Sequence, residues 1–443
     1  MLQAGRRGDA AAVIEGIREA PLTRFAYAGA VVARVLGGYR MLAWRRRNMS
    51  DEEYEQELRA HHERSAQQIY DGVVRLQGLM IKIGQTIGSR PDTFPHEYVS
   101  ILSRLQDNVP PRSWRVMRPH IERELGHPIA DVFAEFDPAP VAAASLAQVY
   151  KARLHDGRQV AVKVVYPNIE RLVRTDLAIL KALIWIESKF YAFPLEPAFR
   201  ELSENIPLEV DMLNEARNME AIAELLSYRP EIVIPKVIWE HTSKRLLTMD
   251  FIEGIKVIEL DRIERAGIDT QKMSRLTVDV YVEMMLRHGH MHADPHPGNL
   301  FVLPGDRLAI LDFGLVKKLE PQFHQAFKTM IAAMFSGDNI GVIKGMEAAG
   351  FRLKDIGGEA FVATAAYFRA MTDPATYKDR KLMGAANDAW LKALKANPMI
   401  DMPGEIVLPM RIFSLILGLG FTTGLEVDVS EIVLKYACEP TAA

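Results

Sequence analysis

Three features are scarce in this 443-residue sequence: cysteine, uninterrupted apolar runs, and an excess of charge of one sign. The single cysteine, Cys438, excludes a disulfide framework and a thiolate metal cluster, and it is typical of a reducing compartment. The 54 Lys and Arg residues nearly balance the 57 Asp and Glu residues, so no global basic excess is available to neutralise nucleic-acid phosphates. The composition therefore predicts a globular protein of two or three domains that does not bind nucleic acid.

Apolar runs long enough to cross a membrane are also missing, since a spanning helix needs about 18 apolar residues without charges. Residues 21–44 are rich in apolar side chains but are interrupted by Arg24, Arg34 and Arg40. The run 412–425 is too short to span. We therefore predict no transmembrane segment, no signal peptide and a cytoplasmic location.

The N-terminal 47 residues have a basic charge that the rest of the chain lacks. They contain nine arginines against Asp9, Glu15 and Glu19, which gives +6 and leaves −9 for the remainder. Residues 1–49 are predicted to form a basic arm. Two interpretations remain open for this arm: peripheral contact with an anionic membrane surface, or a solvated helix packed loosely on the protein.

Hydrophobic periodicity divides the rest of the chain into three parts. In residues 50–135 it predicts helices, beginning with a capping box at Ser50-Asp51-Glu52-Glu53 and one long helix that ends before Pro91. Residues 136–254 carry the strands, and residues 255–443 are mostly helical. The predicted strands are Leu146–Leu154, Gln159–Val165, Ile232–Ile238, Lys244–Phe251, Leu300–Val302 and Leu308–Leu311, and two intervening helices cover 168–190 and 198–227.

The most informative stretch is HADPHPGN at residues 292–299, followed by Asp312-Phe313-Gly314 after a short apolar strand. In phosphoryl transfer one carboxylate orients the nucleophile, while a second carboxylate and an amide oxygen hold magnesium. The spacing matches a kinase catalytic loop with Ala293 at the usual arginine position. We therefore assign Asp294 to the nucleophile and Asn299 and Asp312 to Mg²⁺, and interpret His292 and His296 as loop residues bonded to backbone carbonyls.

A kinase-like site also requires a phosphate-binding lysine and a glutamate that pairs with it. Lys163 ends the V-A-V-K sequence of a predicted strand, and Glu215 lies on the predicted helix 198–227. An alanine-rich loop replaces the usual glycine-rich loop and should be stiffer, because alanine lacks the positive-φ freedom of glycine. The predicted nucleotide-binding residues are Ala142, Ala143, Ala144, Ser145, Val149, Lys163, Met249, Asp250 and Phe251.

The segment after Asp312-Phe313-Gly314 is short. Glu320-Pro321 begins another helix, since proline suits the first helical turn, and no A-P-E sequence follows. A long activation segment that would hold a peptide substrate is therefore not predicted, which argues against a protein kinase.

With these motifs the sequence resembles the UbiB/AarF family of atypical kinase-like proteins. The family's K-x-G-Q motif appears at residues 82–85, its E-x-D pair at 209–211, and further matches at 89–92 and 105–107. The resemblance implies an α+β, protein-kinase-like two-lobe fold with an N-terminal helical extension covering the cleft. It also implies that Lys82 and Gln85 lie near the nucleotide and contact Glu209 and Asp211.

The resemblance further implies ATP and Mg²⁺ binding, ATPase-like activity and a role in lipid or isoprenoid-quinone metabolism. The leading hypothesis is an ATPase or small-molecule phosphotransferase that acts on, or supports the processing of, a small lipophilic molecule. Two alternatives stay open: a Ser/Thr protein kinase, and a non-catalytic ATP-switched module that binds lipids or acts as a chaperone. No pattern in the sequence indicates an oligomeric state.

Overall fold

The computed structural model describes residues 20–88, 94–105, 111–187, 203, 206–292, 297–354, 358–373, 375–376, 379–406, 408–413, 416 and 427–439. Its helices are α1 Pro21–Arg45, α2 Asp51–Leu76, α3 Leu79–Gly88, α4 His96–Leu102, α5 Trp114–Leu125, α6 Ile129–Val132, α7 Ile169–Glu187, α8 Met212–Leu225, α9 Leu260–Arg265, α10 Thr270–Leu286, α11 Pro321–Ser336, α12 Asn339–Ala348, α13 Glu359–Thr372, α14 Arg380–Ala396 and α15 Val429–Ala437. Its strands are β1 Phe133–Phe136, β2 Ala142–Ala143, β3 Ala147–Leu154, β4 Gln159–Val165, β5 Ile232–Val233, β6 Leu246–Asp250, β7 Ile255–Lys256, β8 His290–His292, β9 Leu300–Leu303, β10 Arg307–Ile310, β11 Val316–Lys318, β12 Arg352–Leu353 and β13 Met399–Asp401.

The chain forms two compact units. The first comprises Met1–Leu213 and Ile238–Asp250, and the second comprises Asn214–Val237 and Phe251–Ala443. The chain therefore enters the second unit, returns to the first to add one strand, and leaves it again. The predicted divisions after residues 49, 135 and 254 stay predictions.

The first unit contains an antiparallel sheet in the order β1-β3-β4-β6, with β2 paired to β3. The hairpin from β3 to β4 turns at Asp156-Gly157, where Gly157 has φ +90°, a conformation that suits glycine. The predicted strand Gln159–Val165 is confirmed at both ends, and Ala147–Leu154 differs from its prediction by one residue.

The helices at the start of the first unit confirm one prediction and correct another. Ser50 and Glu53 form the predicted capping box, in which each side chain accepts a hydrogen bond from the other residue's backbone N–H. The prediction of one continuous helix up to Pro91 is wrong, because the chain breaks between α2 and α3 at Gln77 (φ +55°) and Gly78 (φ +64°). The apolar stripe continues through this break, so periodicity alone could not show it.

The second unit carries more strands than the sequence predicts. Its sheet has the order β5-β10-β9-β7, in which β5 runs parallel to β10, and two further pairs join β11 to β8 and β12 to β13. The prediction of only two strands beyond Gly254 is therefore wrong. The added strands have two or three residues each, too few to show a period of two.

Two other predicted segments are shorter than expected. β5 covers Ile232–Val233 rather than Ile232–Ile238, and the helix predicted over 198–227 is interrupted at residues 210–211 before α8. Residues 188–202 and 204–205 lie outside the described part of the chain.

Pro321 begins α11 as predicted. None of the described helices combines the length and the hydropathy needed to cross a membrane.

Three helical glycines have different surroundings, so replacing each of them with alanine should change the free energy of unfolding by a different amount. A Cβ at Gly88 would lie 2.6 Å from the backbone nitrogen of Ser103, whereas one at Gly84 would meet the movable Cδ1 of Leu105 at 2.4 Å, and Gly37 has open space. We expect Gly88→Ala to lower the free energy of unfolding by about 1–3 kcal/mol, and Gly84→Ala by less. Gly37→Ala should raise it by about 0.5–1 kcal/mol.

Chemical denaturation of the three variants checks this order. An equal loss for Gly84→Ala and Gly88→Ala would contradict the distinction between a side-chain obstacle and a backbone obstacle. A loss for Gly37→Ala would contradict the expected gain in helix propensity.

Candidate functional site

Lys163 lies in the middle of the sheet of the first unit. Its neighbours along β4, Val162 and Val164, are fully buried, while Lys163 itself is half-buried. Across the sheet it is paired with Val149 on β3 and with Leu247 on β6. Paired residues share one face of a sheet, so the predicted nucleotide-binding residues Lys163 and Val149 are direct neighbours.

The alanine-rich loop is tied to the same sheet. Ala142 and Ala143 form β2 and pair with Val149 and Gln148, and the backbone N–H of Ala144 donates to the Ala147 carbonyl over 2.8 Å. The Tyr166 hydroxyl donates to the Ala144 carbonyl over 3.0 Å. These contacts restrain the loop from both sides, in keeping with the stiffness expected of alanine in place of glycine.

Ser145, Met249, Asp250 and Phe251 complete the predicted nucleotide-binding residues. Ser145 follows the alanines and is buried, with 7% of its surface exposed. Met249 is buried on β6, and Asp250 ends that strand half-buried. Phe251 begins the segment in which the chain returns to the second unit, so it belongs to a different compact unit from the other three residues.

The K-x-G-Q helix is α3, and its lysine forms an ion pair. Lys82 Nζ lies 2.8 Å from Glu209 Oε1, and both side chains are only about a fifth exposed, at 23% and 20%. Gln85 donates instead to the Leu105 carbonyl over 2.9 Å, and Asp211 accepts from the backbone N–H of Leu213 over 3.1 Å. The structure therefore joins Lys82 to Glu209, while the contacts shown for Gln85 and Asp211 are with backbone groups.

The predicted magnesium ligands Asn299 and Asp312 belong to adjoining segments of the second unit. Asn299 ends the short 3₁₀ helix Pro297–Asn299, and its carbonyl accepts from the backbone N–H of Leu311 over 3.0 Å. Asp312 follows directly, and its Oδ1 accepts from the Gly314 N–H over 3.0 Å, which stabilises a tight turn. This backbone hydrogen bond joins the two segments, and the amide side chain of Asn299 and the carboxylate of Asp312 are both half-buried.

His292 contacts this turn and stabilises its backbone. Its Nε2 donates to the Asp312 carbonyl, its Nδ1 accepts from the Tyr281 hydroxyl over 3.1 Å, and its ring meets the Phe313 ring edge-on at 5.1 Å. His292 is 1% exposed. The predicted bond from His292 to a backbone carbonyl is confirmed, but the prediction of a loop position is wrong, because His292 ends strand β8 and pairs with Val316.

Glu215 is completely buried on α8 rather than on a solvated surface. Its Oε1 accepts from the Phe313 N–H at 3.5 Å, and Asn218, one turn later, donates to the Phe313 carbonyl over 3.0 Å. One helix face therefore contacts both backbone groups of Phe313. Lys163 and Glu215 fall in different compact units, and their pairing stays a prediction.

Asp294 and His296 lie in residues 293–296, outside the described part of the chain. Within the described ranges, no group of three or more His, Cys, Asp or Glu side chains is arranged to hold a metal ion by itself. A metal held by one carboxylate, one amide and the phosphates of a nucleotide does not require such a group.

Two residues that support the turn were missed at the sequence level. Asn218 could have been found, because it lies three positions after Glu215 and so shares its helix face. Tyr281 could not, since its contact with His292 depends on how α10 packs against β8.

Comparisons with known proteins bear on the family and the fold of the chain. A sequence profile of the ABC1 atypical kinase-like domain matches residues 104–346. The chain is 30% identical to "Protein ACTIVITY OF BC1 COMPLEX KINASE 8, chloroplastic" of Arabidopsis thaliana, over 84% of this chain and 54% of that protein. It is 37% identical to AarF domain-containing protein kinase 1 of Mus musculus, over 61% of this chain and 53% of that protein.

The chain thus spans about half the length of these curated relatives. Among solved structures, a Mycobacterium tuberculosis protein in complex with erythromycin aligns with a TM-score of 0.58 and 23% identity, over 88% of this chain and all of that one. This likeness supports the α+β, kinase-like fold. Because the ABC1 match covers more than half of the chain, the protein belongs to the ABC1 (UbiB/AarF) family of atypical kinase-like proteins.

Proposed function

We propose that this protein binds ATP with Mg²⁺ and acts as an ATPase or small-molecule phosphotransferase. The observation that carries the proposal is the hydrogen bond from the backbone N–H of Leu311 to the Asn299 carbonyl, which joins Asn299 to the residue that precedes Asp312. Kinase-like enzymes hold magnesium with this combination of an asparagine and an aspartate.

The donor set fits magnesium. Mg²⁺ prefers oxygen ligands and is usually bound by one or two protein groups together with substrate phosphates. Asp312 and Asn299 supply a carboxylate and an amide oxygen. Bound magnesium would neutralise negative charge on the phosphates during transfer.

The remaining roles are part of the proposal. Lys163 would hold the α- and β-phosphates, and Glu215 would fix the position of that lysine. Asp294 would orient the nucleophile and accept its proton. Val149 and Met249, with the backbone of Asp250, would bind the adenine.

The segment after the Asp312 turn supports an acceptor other than a protein. Only residues 315–320 separate Gly314 from α11, and three of them form β11, which pairs with β8. A segment that is already paired as a strand and leads directly into a helix leaves no long loop to bind a peptide.

We further propose that the reaction serves lipid or isoprenoid-quinone metabolism at a membrane surface. The outward side of α1 exposes Leu22, Phe25, Met41 and Trp44 by 86%, 49%, 57% and 69%. Residues 21–50 contain no acidic residue and six arginines, five of them outside the buried ion pair that Arg24 forms with Asp176. Apolar side chains flanked by arginines are typical of helices that lie on anionic bilayers.

Magnesium-dependent ATP hydrolysis by the purified protein, with and without vesicles containing anionic lipid, tests the proposal. We expect turnover that requires Mg²⁺ and rises when vesicles are added. If turnover did not change when vesicles were added, this would contradict only the proposed contact of α1 with a membrane. Transfer of phosphate to a generic protein substrate would favour a protein kinase, and ATP binding without turnover under any lipid condition would favour an ATP-switched binding module.

A further inference from the structure

The break between α2 and α3 leaves backbone groups that need partners. α2 ends at Leu76 and α3 begins at Leu79, with Gln77 and Gly78 both at positive φ. The last carbonyls of one helix and the first N–H groups of the next lack partners within their own helices. This joint is buried, since Gln77 is only 2% exposed.

A side chain from α1 donates hydrogen bonds to the backbone carbonyls at this break. Arg24 Nη1 donates to the Leu76 carbonyl over 2.7 Å, and Nη2 lies 3.4 Å from the Gln77 carbonyl. Arg24 is 1% exposed, although it belongs to the most basic part of the chain. A guanidinium group at a helix C-terminus also interacts favourably with the helix dipole.

A side chain from α7 satisfies the amide side. Asp176 is 0% exposed and accepts from Arg24 Nε at 2.8 Å and from Nη2 at 2.7 and 2.6 Å. The Leu79 N–H, at the start of α3, also donates to the Asp176 carboxylate. Arg24 therefore binds the end of α2, Asp176 binds the start of α3, and the two side chains also bind each other.

The start of α3 determines where its lysine points. Lys82 follows Leu79 by one helical turn, and its Nζ meets Glu209 at 2.8 Å. α3 has only ten residues, so a change in its entry angle is carried to Lys82 without being absorbed along the helix.

We propose that Arg24 is a positioning residue, which acts with Asp176 to set the start of α3 and so to hold Lys82 against Glu209. The planar guanidinium can contact two carbonyls and a carboxylate together, whereas a lysine at this position offers one ammonium group on a flexible stem. The expected effect on ATP turnover rests on the proposed function, whereas the placement of Lys82 does not depend on it.

The test compares the reactivity of the Lys82 amine with an amine-modifying ester in folded variants, measured by mass spectrometry. In Arg24→Lys we expect labelling of Lys82 to accelerate by about fivefold, the change that corresponds to roughly 1 kcal/mol. Glu209→Gln sets the rate expected when Lys82 loses the Glu209 carboxylate. Lys151, in the same unit, reports on general opening and should keep its wild-type rate.

An unchanged Lys82 rate in Arg24→Lys would overturn the proposal, and so would an equal acceleration at Lys151, since that would indicate loosening of the whole unit. If Arg24→Lys does not fold, Asp176→Asn tests the clamp from its other side, because asparagine can still accept from the Leu79 N–H.

ATP turnover then separates this inference from the proposed function. If Arg24 acts through Lys82, the loss in Arg24→Lys should largely disappear in a Lys82→Met background, whereas independent effects would multiply and contradict the proposal. A wild-type protein without turnover would count against the proposed function, while the labelling result would still decide the placement of Lys82.

Discussion

The Asp312→Asn variant is expected to fold normally and to lose at least about 99% of magnesium-dependent ATP turnover. Asparagine has nearly the same shape, and its side-chain oxygen can still accept from the Gly314 N–H, which Asp312 Oδ1 does over 3.0 Å. The negative charge that attracts the metal is lost. Metal ions supply several kcal/mol of charge stabilisation in such reactions, and each 1.4 kcal/mol corresponds to a factor of about ten in rate.

Asp338→Asn is the matched control. Asp338 Oδ1 accepts from the N–H two residues later, that of Ile340, over 3.1 Å, so the same substitution alters the same kind of local hydrogen bond. Asp338 caps α12 at an exposed position. Turnover and thermal unfolding are measured for both variants. Wild-type turnover in Asp312→Asn, or an equal loss in the control, would contradict the assignment of Asp312 to the metal.

The Arg229→Met variant is expected to lose about 3 kcal/mol of unfolding free energy, because it removes the guanidinium group that three carboxylates share, one of them the buried Glu283. Arg229 pairs with Glu231 at 2.6 Å, with Asp279 at 2.9 Å and with Glu283. Burial opposes its charge, but these carboxylates outweigh burial and raise the pKa of Arg229 above its ordinary value. Glu283 is 1% exposed, so after the substitution its charge depends on protein partners such as Arg287, whose Nη1 lies 2.7 Å from Glu283 Oε1, rather than on water.

Denaturant unfolding measures this loss against two references. Arg262→Met removes an exposed pair with Glu259 and should change the unfolding free energy by less than about 1 kcal/mol. Adding Glu283→Gln to Arg229→Met removes the buried negative charge that has lost one of its two arginines and should restore part of the loss. If Arg229→Met and Arg262→Met had equal effects, the buried network would not contribute as we expect.

Much of the candidate site could be predicted from the sequence because its motifs are local. The strand around Lys163 shows a period of two, the Asp156-Gly157 turn has a specific residue requirement, and the Asp312-Phe313-Gly314 turn is stabilised within three residues. For His292 the sequence indicated a bond to a backbone carbonyl but not which carbonyl accepts it, because the Asp312 carbonyl is 20 residues away along the chain.

The sequence by itself determined the kinase-like motifs, the main hairpin, the capping box at Ser50 and the kinds of residue available for magnesium. Only the tertiary structure decided which of these residues have partners. Arg24 counts as surface charge in the sequence but is buried against Asp176, and Glu215, which by itself is indistinguishable from a surface glutamate, is buried beside Phe313. Periodicity and turn chemistry act within a few residues, whereas burial and ion pairing depend on segments that the chain brings together across 98 and 152 positions.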